Sequence, residues 1–317
     1  MEVMAPLIRG RNSCKGEMLD LTMRQDKRFF IVTSLAPALI VLALITILPF
    51  VMNIFNSLKD YYLVRPGYPP FVGLENFRRI LFYDPTFWKS LLITLAFTGG
   101  STAITFWLGL LIAGLLSPGG VLRNFVRAVM LLPMAATPVA VAFTWRIMYS
   151  PSLGIINYLL GSLGLPQSEW IGSPKTALLS VILVDVWQWT PFMTLIMLAG
   201  LMSLPQEPFE AAVIDGAGGW QIFRFVTLPL VKPVAMTALL FRVIDSLKTF
   251  DIIFVLTRGG PGNATETLNL HTYLKGFSYL RIGEASALAV IMLALVFILS
   301  QLFLALSKLE FGGEQRW

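Results

Sequence analysis

The sequence contains one cysteine, one histidine and few charged residues. A single thiol, Cys14, excludes an intrachain disulfide and any metal site built from several cysteines. His271 is the one imidazole, which argues against a histidine-based metal centre or catalytic triad. Only 13% of the residues are charged, whereas globular domains carry about 25%. These absences argue against most hydrolytic and metal-dependent enzymes, and against a water-soluble globular fold.

Long apolar runs take up most of the chain. Of the 317 residues, 56% are hydrophobic, and the mean hydropathy is +0.73. A helix needs about 20 apolar residues to cross the hydrocarbon layer, and its backbone groups must be paired within the segment. We therefore predict an all-α, polytopic membrane protein with six transmembrane helices. These are expected at about 30–55, 91–116, 125–148, 176–202, 229–256 and 286–307.

Basic residues predict the orientation of the spans. Six of them precede the first apolar run, and such an excess marks the cytoplasmic side. They are Arg9, Arg11, Lys15, Arg24, Lys27 and Arg28. We expect a basic cytoplasmic tail at 1–29, a transmembrane domain at 30–307 and a cytoplasmic C-terminal tail at 308–317. Segment 56–90 would face outward although it holds five basic residues; its aromatic residues and prolines predict a small folded cap at 59–89.

The segment 206–229 is a polar, glycine-punctuated insert between two apolar runs. Glu207 and Glu210 favour the positive end of a first short helix, and Gly216 provides the freedom for a sharp corner. A second short helix is predicted before Pro229 opens the fifth span, with one apolar stripe formed by Trp220, Phe223 and Val226. Apolar side chains on the water side indicate a docking element. The alternative is an ordinary interhelical loop with a glycine turn.

Several stretches resemble a known family. Glu210-Ala211-Ala212, Asp215-Gly216-Ala217 and Leu228-Pro229 resemble the EAA loop of ABC importer permeases. Others resemble the carbohydrate branch of that family, of the maltose and glycerol-phosphate permease type. They are Trp189-Thr190-Pro191-Phe192, Ala199-Gly200-Leu201, Leu204-Pro205, Phe250-Asp251, Val255-Leu256-Thr257 and Gly259-Gly260-Pro261-Gly262.

The resemblance implies a permease subunit of a bacterial cytoplasmic (inner) membrane importer that carries a sugar, polyol or sugar derivative. Its partners would be a second, similar permease, two copies of an ABC ATPase and an extracytoplasmic solute-binding protein. The residues that couple to the ATPase would be Glu210, Ala211, Ala212, Asp215, Gly216 and Ala217. The sequence has no GxxxxGK[ST] loop, so ATP and Mg²⁺ are expected on the ATPase and no cofactor on this chain. The outward loop Gly259, Gly260, Pro261 and Gly262 would contact the binding protein or line the cavity beneath it.

Charged residues inside the apolar runs predict a substrate pathway. A charge facing lipid is unfavourable, so such residues are expected to face protein or a wet cavity. Span five carries Arg242, Asp245, Lys248 and Asp251, and span four carries Asp185, Gln188 and Trp189. We expect Asp185, Gln188, Trp189, Arg242, Asp245 and Lys248 to line the pathway. A self-neutralising network that only fixes helix packing is an equal alternative for span five.

Tryptophans near the ends of spans have two interpretations. Trp145 and Tyr149 are expected to belong to an aromatic belt at the membrane surface. For Trp187 and Trp189, belt and pathway remain equal alternatives, and Pro191 is expected to bend span four.

The alternatives to this class are a secondary transporter and a membrane-embedded enzyme. A secondary transporter would use the charges of span five as an ion relay and would show inverted repeats and broken helices, neither of which is evident in the sequence. A membrane-embedded enzyme would need a nucleophile and base, or a metal cluster, for which one histidine and one cysteine leave few options.

Overall fold

The computed structural model describes residues 33–117 and 121–311. The predicted tail 1–29, with its basic residues, lies outside the described residues, as does 312–317. Within the described ranges the chain is helical, and two isolated bridges are the only β-type pairing. Five single helices are long and apolar enough to cross a membrane. They are α1 (Thr33–Ser57), α3 (Pro85–Leu116), α7 (Ala177–Met202), α9 (Gly219–Leu247) and α12, whose described range is Ile282–Phe311.

Shorter helices connect these five. α2 (Glu75–Arg78) runs into a π-helical turn before α3, and α11 (Leu268–Tyr273) runs into another before α12. The remaining short helices are α4 (Val121–Ala135), α5 (Pro138–Met148), α6 (Ile155–Ser162), α8 (Glu207–Ile214) and α10 (Asp251–Leu256). The described residues 33–55 form a unit of their own, and α1 is apolar along this part.

The predicted span at 125–148 contains a sharp bend. This stretch forms α4 and α5, which meet at 94°. Pro138 is the first residue of α5, and the residue before a proline is driven out of helical geometry. Thr137 accordingly has an extended backbone, with φ −65° and ψ 138°. If the bent pair counts as one span, the described residues hold six spans.

The fifth apolar run also differs from its prediction. α9 begins at Gly219, so the predicted second short helix and the span form one continuous helix rather than two. A π-helical turn at Phe223–Thr227 precedes Pro229, whose missing amide hydrogen is accommodated by such a wider turn. The helix ends at Leu247 instead of 256, and α10 begins after a break at Phe250. Lys248 and Asp251 therefore lie at a turn rather than within the same helix as Arg242 and Asp245.

α7 is the most deeply buried of the spans. α3 approaches it closely at Gly109, where an added Cβ would lie 2.6 Å from Met193. Small residues allow such close packing of helices in membranes. Two apolar clusters lie along these helices. The cluster nearer α8 includes Leu110, Met193 and Ala235, and the cluster farther from α8 includes Phe97, Val181 and Ile252.

Tyr149 belongs to this packed core, so its assignment to an aromatic belt was wrong. Its side chain is buried, its ring stacks on Trp170 at 5.0 Å, and its hydroxyl donates to the Ser180 carbonyl. Burial raises the pKa of the Tyr149 hydroxyl. Trp145 packs against Tyr149 on one side and Trp187 on the other, at 5.4 and 5.6 Å between ring centres.

The segment after α1 is folded, as predicted for a cap. Lys59 forms an isolated antiparallel β-bridge with Phe71, and Tyr62 forms another with Arg281, just before α12. Asn76 donates to the carbonyls of Ser57 and Lys59, which ties α2 to the end of α1.

A cluster of ion pairs joins the start of α3 to the turn after α11 and to the start of α12. Lys275 contacts Asp84 at 2.9 Å and Glu284 at 3.1 Å, and Arg281 contacts Glu284 at 2.7 Å. His271 lies between Glu266 and Asp84. Burial acts to raise the pKa of Asp84, but the hydrogen bond and charge of Lys275, with His271, lower it overall.

Candidate functional site

A buried ion pair joins three of the long helices. Arg242 of α9 contacts Asp185 of α7, and both are almost fully buried. Ser101 of α3 accepts a hydrogen bond from Arg242 at 2.7 Å and donates one to Asp185. The charge of Arg242 is thus neutralised across helices rather than only along its own, where Asp245 lies 3.5 Å away.

Two adjoining cavities lie in front of this pair. One has a volume of about 240 Å³ and the other about 220 Å³, and both are lined by Trp189, Asp245 and Lys248. The Arg242 guanidinium carbon lies 5.7 Å from the centre of the Trp189 ring, within the range of a cation–π contact. The Asp245 side chain is 44% exposed and Lys248 is exposed. An aromatic face beside open charged groups can cover the apolar face of a polyol while the charged groups bond its hydroxyls.

Further aromatic and polar residues complete the walls. The first cavity adds Phe192, Phe241, Arg242 and Ile244; the second adds Pro138, Thr249, Phe250, Asp251 and Ile252. Pro138 belongs to the α4–α5 break, so irregular backbone lies at the cavity. Non-helical backbone at membrane depth is tolerated where it borders protein or a water-filled cavity.

The structure divides the predicted pathway residues into two groups. Trp189, Arg242, Asp245 and Lys248 come together at the cavities. Asp185 and Gln188 lie behind them and are buried. The Gln188 amide donates to the Ala136 carbonyl at the α4–α5 break, at 3.2 Å. Trp187 is 44% exposed and packs on Trp145 instead of lining either cavity.

Sequence reasoning missed Ser101, Phe241 and Pro138 as parts of this region. Ser101 follows two glycines in an apolar run, which signals close packing but names no partner. Pro138 was a detectable signal, because Thr137-Pro138 interrupts the run 125–148.

The second predicted site is the insert that contains α8. This helix ends in a Schellman motif, with hydrogen bonds from the amide of Gly216 to the Val213 carbonyl and from that of Ala217 to the Ala212 carbonyl. Gly216 has φ +77°, the left-handed conformation that glycine adopts without strain. The Gln221 side chain accepts a hydrogen bond from the Gly218 amide at 2.7 Å, and α9 begins there. The corner predicted at Gly216 is present.

Apolar side chains project from both sides of this corner. Val213 is 63% exposed, Ile214 85% and Trp220 73%. Glu210, Ala211 and Asp215 are exposed beside them, and Ala212 and Ala217 are half-buried. The predicted stripe is only partly present, since Phe223 is half-buried and packs on Trp220 at 5.6 Å between ring centres. An exposed patch of this kind indicates an interaction surface.

The glycine-rich loop after α10 is closely braced. Gly259 is buried with φ +86°, and Thr265 donates to the Gly260 carbonyl at 2.8 Å. Lys89 donates to the Gly262 carbonyl at 2.7 Å. Pro261 is half-buried and Gly262 is exposed, so one edge of this loop faces solvent.

No group of residues suited to a metal ion occurs among the described residues.

Comparison with known families finds one match over most of the chain. Residues 79–309 match the family described as binding-protein-dependent transport system inner membrane component. The match includes both cavities, the α8 insert and the glycine-rich loop.

Individual relatives are similar over nearly their whole length. The trehalose/maltose transport system permease protein MalF of Thermococcus litoralis is 39% identical, over 86% of this chain and 91% of the relative. The sulfoquinovosyl glycerol transport system permease protein SmoG of Agrobacterium fabrum is 36% identical, over 89% and 91%. The trehalose transport system permease protein SugA of Mycobacterium tuberculosis is 34% identical, over 88% and 89%.

A solved structure shares the fold. A chain of a bacterial ABC transporter involved in the import of the acidic polysaccharide alginate aligns with a TM-score of 0.78 and 22% identity. The alignment covers 91% of this chain and 98% of that one.

Proposed function

The chain belongs to the family of binding-protein-dependent transport system inner membrane components, and we propose that it carries a carbohydrate through the cavities beside Trp189. Members of this family are non-catalytic permease subunits of ATP-driven importers, so the chain moves its solute without covalent chemistry. The relatives named above transport trehalose, maltose or sulfoquinovosyl glycerol according to their names. The observation that carries the proposal is the placement of Trp189, Asp245 and Lys248 around both cavities.

Weak contacts suffice for this role. The Trp189 ring covers the apolar face of a sugar ring, and Asp245 and Lys248 bond its hydroxyls. Asp185 and Gln188 support the cavity walls from the buried side. Asp185 forms an ion pair with Arg242, and Gln188 donates a hydrogen bond to the α4–α5 break. A carrier that alternates between two openings requires binding that is readily reversed, and half-exposed groups such as Asp245 provide it.

The α8 insert is the proposed contact with the ATPase. Glu210, Ala211, Ala212, Asp215, Gly216 and Ala217 form the coupling element, with Ile214 and Trp220 as its exposed apolar anchors. Burial of such anchors in a pocket of a partner dominates the energy of many interfaces. ATP and Mg²⁺ are bound by that separate subunit, and closure of the ATPase pushes this element and tilts α9.

The remaining partners follow the same arrangement. A second, similar permease completes the pore, and two ATPase copies contact the two coupling elements. The solute-binding protein delivers its ligand at the opposite face, at the edge formed by Gly260, Pro261 and Gly262. In this orientation, residues 206–218 and both termini are cytoplasmic, and the glycine-rich loop faces outward.

A secondary transporter is not favoured. The broken pair α4–α5 is a feature that such proteins share. It occurs here in a chain whose family couples transport to a separate ATPase, and the charges of Arg242 and Asp185 already neutralise each other.

Uptake by the reconstituted complex tests both sites separately. Trp189→Ala is expected to reduce carbohydrate uptake roughly tenfold, the effect of losing about 1.4 kcal/mol of ring contact, while recovery of the ATPase in a pull-down is unchanged. Ile214→Asp is expected to lose the ATPase. Leu153→Asp is its matched control, because Leu153 is 90% exposed in the loop before α6. Uptake without an ATPase subunit would contradict the proposed function.

A further inference from the structure

The helix α6 turns a polar side chain inward and apolar side chains outward. Asn157 is buried; its side-chain amide donates to the Ser168 carbonyl at 2.8 Å, and its side-chain oxygen accepts from the Trp170 indole at 2.7 Å. The residues that face away from Asn157 are exposed and apolar or aromatic. They are Ile155, Tyr158, Leu159 and, directly after the helix, Leu163. A helix at the surface of a water-soluble protein has the opposite arrangement, with its apolar stripe toward the core.

The chain around α6 carries no charge. No charged residue occurs between Arg146 and Glu169. Leu153 before the helix and Leu165 after it are also exposed, so the apolar surface extends beyond α6 in both directions along the chain. Exposed apolar surface of this extent marks contact with a membrane or with another protein.

Both ends of this segment are held at a membrane surface. Tyr149 directly follows α5, stacks on Trp170, and donates its hydroxyl hydrogen to the carbonyl of Ser180 in the first turn of α7. α7 has 26 residues and is therefore about 39 Å long, whereas the hydrocarbon layer is about 30 Å thick. The first turn of α7 thus lies near the headgroups, on the face of the membrane opposite the α8 insert. The bonds of Asn157 and Tyr149 keep α6 at this level.

The outer face of α5 continues this apolar surface toward the interior of the membrane. Val139, Phe143 and Ile147 are exposed and follow one another at intervals of four residues, so they form one stripe along α5. α5 belongs to the bent pair that can count as one span, and such a stripe is suited to contact with acyl chains. A water-soluble partner that binds and leaves would not fit the surface of α6, because its apolar side chains would return to water after each encounter.

We propose that α6 lies in the interface of the bilayer, with Leu159 and Leu163 against acyl chains and Asn157 toward the protein. Tyr158 suits this depth, because its ring is apolar and its hydroxyl can reach the headgroups. Since Asn157 bonds Trp170 and Trp170 stacks on Tyr149, contact of α6 with lipid would hold the adjoining ends of α5 and α7 at a fixed depth. The proposal does not depend on which solute is carried.

Spin labels on α6 test its surroundings in the full-length protein reconstituted in bilayers. Cys14 is first replaced by serine, so that each introduced cysteine is the only thiol. We expect labels at Leu159→Cys and Leu163→Cys to collide more often with oxygen, which dissolves among acyl chains, than with a water-soluble nickel chelate. Lys175→Cys is the matched control, because Lys175 is exposed just before α7 and should show the reverse order. More frequent collisions with nickel at either leucine position would place this face in water and overturn the proposal.

Crosslinking separates lipid from a permanently bound protein partner. A photoreactive phenylalanine analogue in place of Leu159 is activated in bilayers that contain the assembled complex. A lipid adduct is the expected product. An adduct with a second protein chain would show that a subunit covers α6 and would refute its contact with the bilayer.

Discussion

The side-chain amide of Gln188 donates a hydrogen bond to the backbone carbonyl of Ala136, which lies in the break between α4 and α5. The bond joins the buried face of α7 to the bend at which α4 and α5 meet at 94°. The break leaves carbonyl groups without helical partners, and a buried carbonyl needs one. Gln188 therefore positions Pro138 at the wall of the cavity beside Trp189.

Replacing this amide should weaken the fold. Gln188→Glu removes the donor and turns a carboxylate toward a buried carbonyl, so the free energy of unfolding should fall by about 1–3 kcal/mol. Thermal unfolding of the purified protein in detergent measures the effect. Gln167→Glu is the matched control, because Gln167 is exposed and also donates to a backbone carbonyl, that of Asn157. Equal melting temperatures for both variants would remove the positioning role of Gln188.

The pair of Arg242 and Asp185 should behave as a unit. Arg242→Met leaves the Asp185 carboxylate buried without its counter-ion, and breaking such pairs lowers stability by about 3–5 kcal/mol. Asp185→Leu together with Arg242→Met removes both charges and should recover most of the loss. The unfolding temperatures of Arg242→Met, Asp185→Leu and the double variant give the coupling energy between the two side chains. If the losses simply add, the two side chains do not stabilise each other.

Uptake by the double variant separates structure from transport. Arg242 also lines a cavity and lies over Trp189, so we expect folding to recover more fully than uptake. Equal recovery of both would assign Arg242 to packing alone, as the alternative from the sequence had it.

Gly216 should be sensitive to a single methyl group. Its φ of +77° disfavours any other residue, and a Cβ there would meet no atom within 4 Å. Gly216→Ala therefore acts only through the backbone, by about 1–2 kcal/mol against the corner. We expect fewer solute molecules to be imported per ATP hydrolysed, with normal insertion of the protein into the membrane. Gly219→Ala is the control, since its Cβ is equally free of contacts and its φ is not left-handed. The same ratio in both variants would speak against a role for the corner in coupling.

Acid should loosen the cluster at the start of α3. The pKa of Asp84 is lowered below its ordinary value of 3.8 by Lys275 and His271, against the effect of burial. Its contribution to stability is therefore full above that ordinary value and is lost as the pH falls through the lowered pKa. We expect Asp84→Asn to flatten this part of the melting temperature against pH. Asp215→Asn, at an exposed carboxylate, should leave the slope unchanged.

Composition predicted the helical class and the approximate location of the spans, because lipid requires apolar side chains on every face of a helix. It did not predict where a run breaks. The stretch 125–148 is apolar on both sides of Thr137, and only the proline after it signals the turn. The end of α9 at Leu247 was missed for a similar reason, since the apolar residues continue into α10.

The partner of Arg242 was beyond sequence reasoning. Asp245, three residues along the same helix, lies 3.5 Å from Arg242, whereas the closer carboxylate is Asp185, on another helix. The corner at Gly216 was predictable because its geometry is local. The cavities at Trp189 were predicted only in part, since Phe241 and Pro138 reach them through packing between helices.

The close contact between α7 and α9 provides a pivot point for α9. A Cβ at Gly200 would lie 2.9 Å from the Val234 side chain, so the two helices are in close contact there. Trp220 lies about 21 Å from Val234 along the axis, and Asp245 about 16 Å on the other side. If α9 rocks about this point as a stiff rod, a displacement of Trp220 moves Asp245 the opposite way by about three-quarters as much. A larger residue at Gly200 would shift this pivot point and change how far each end of α9 moves, without altering the residues at either end.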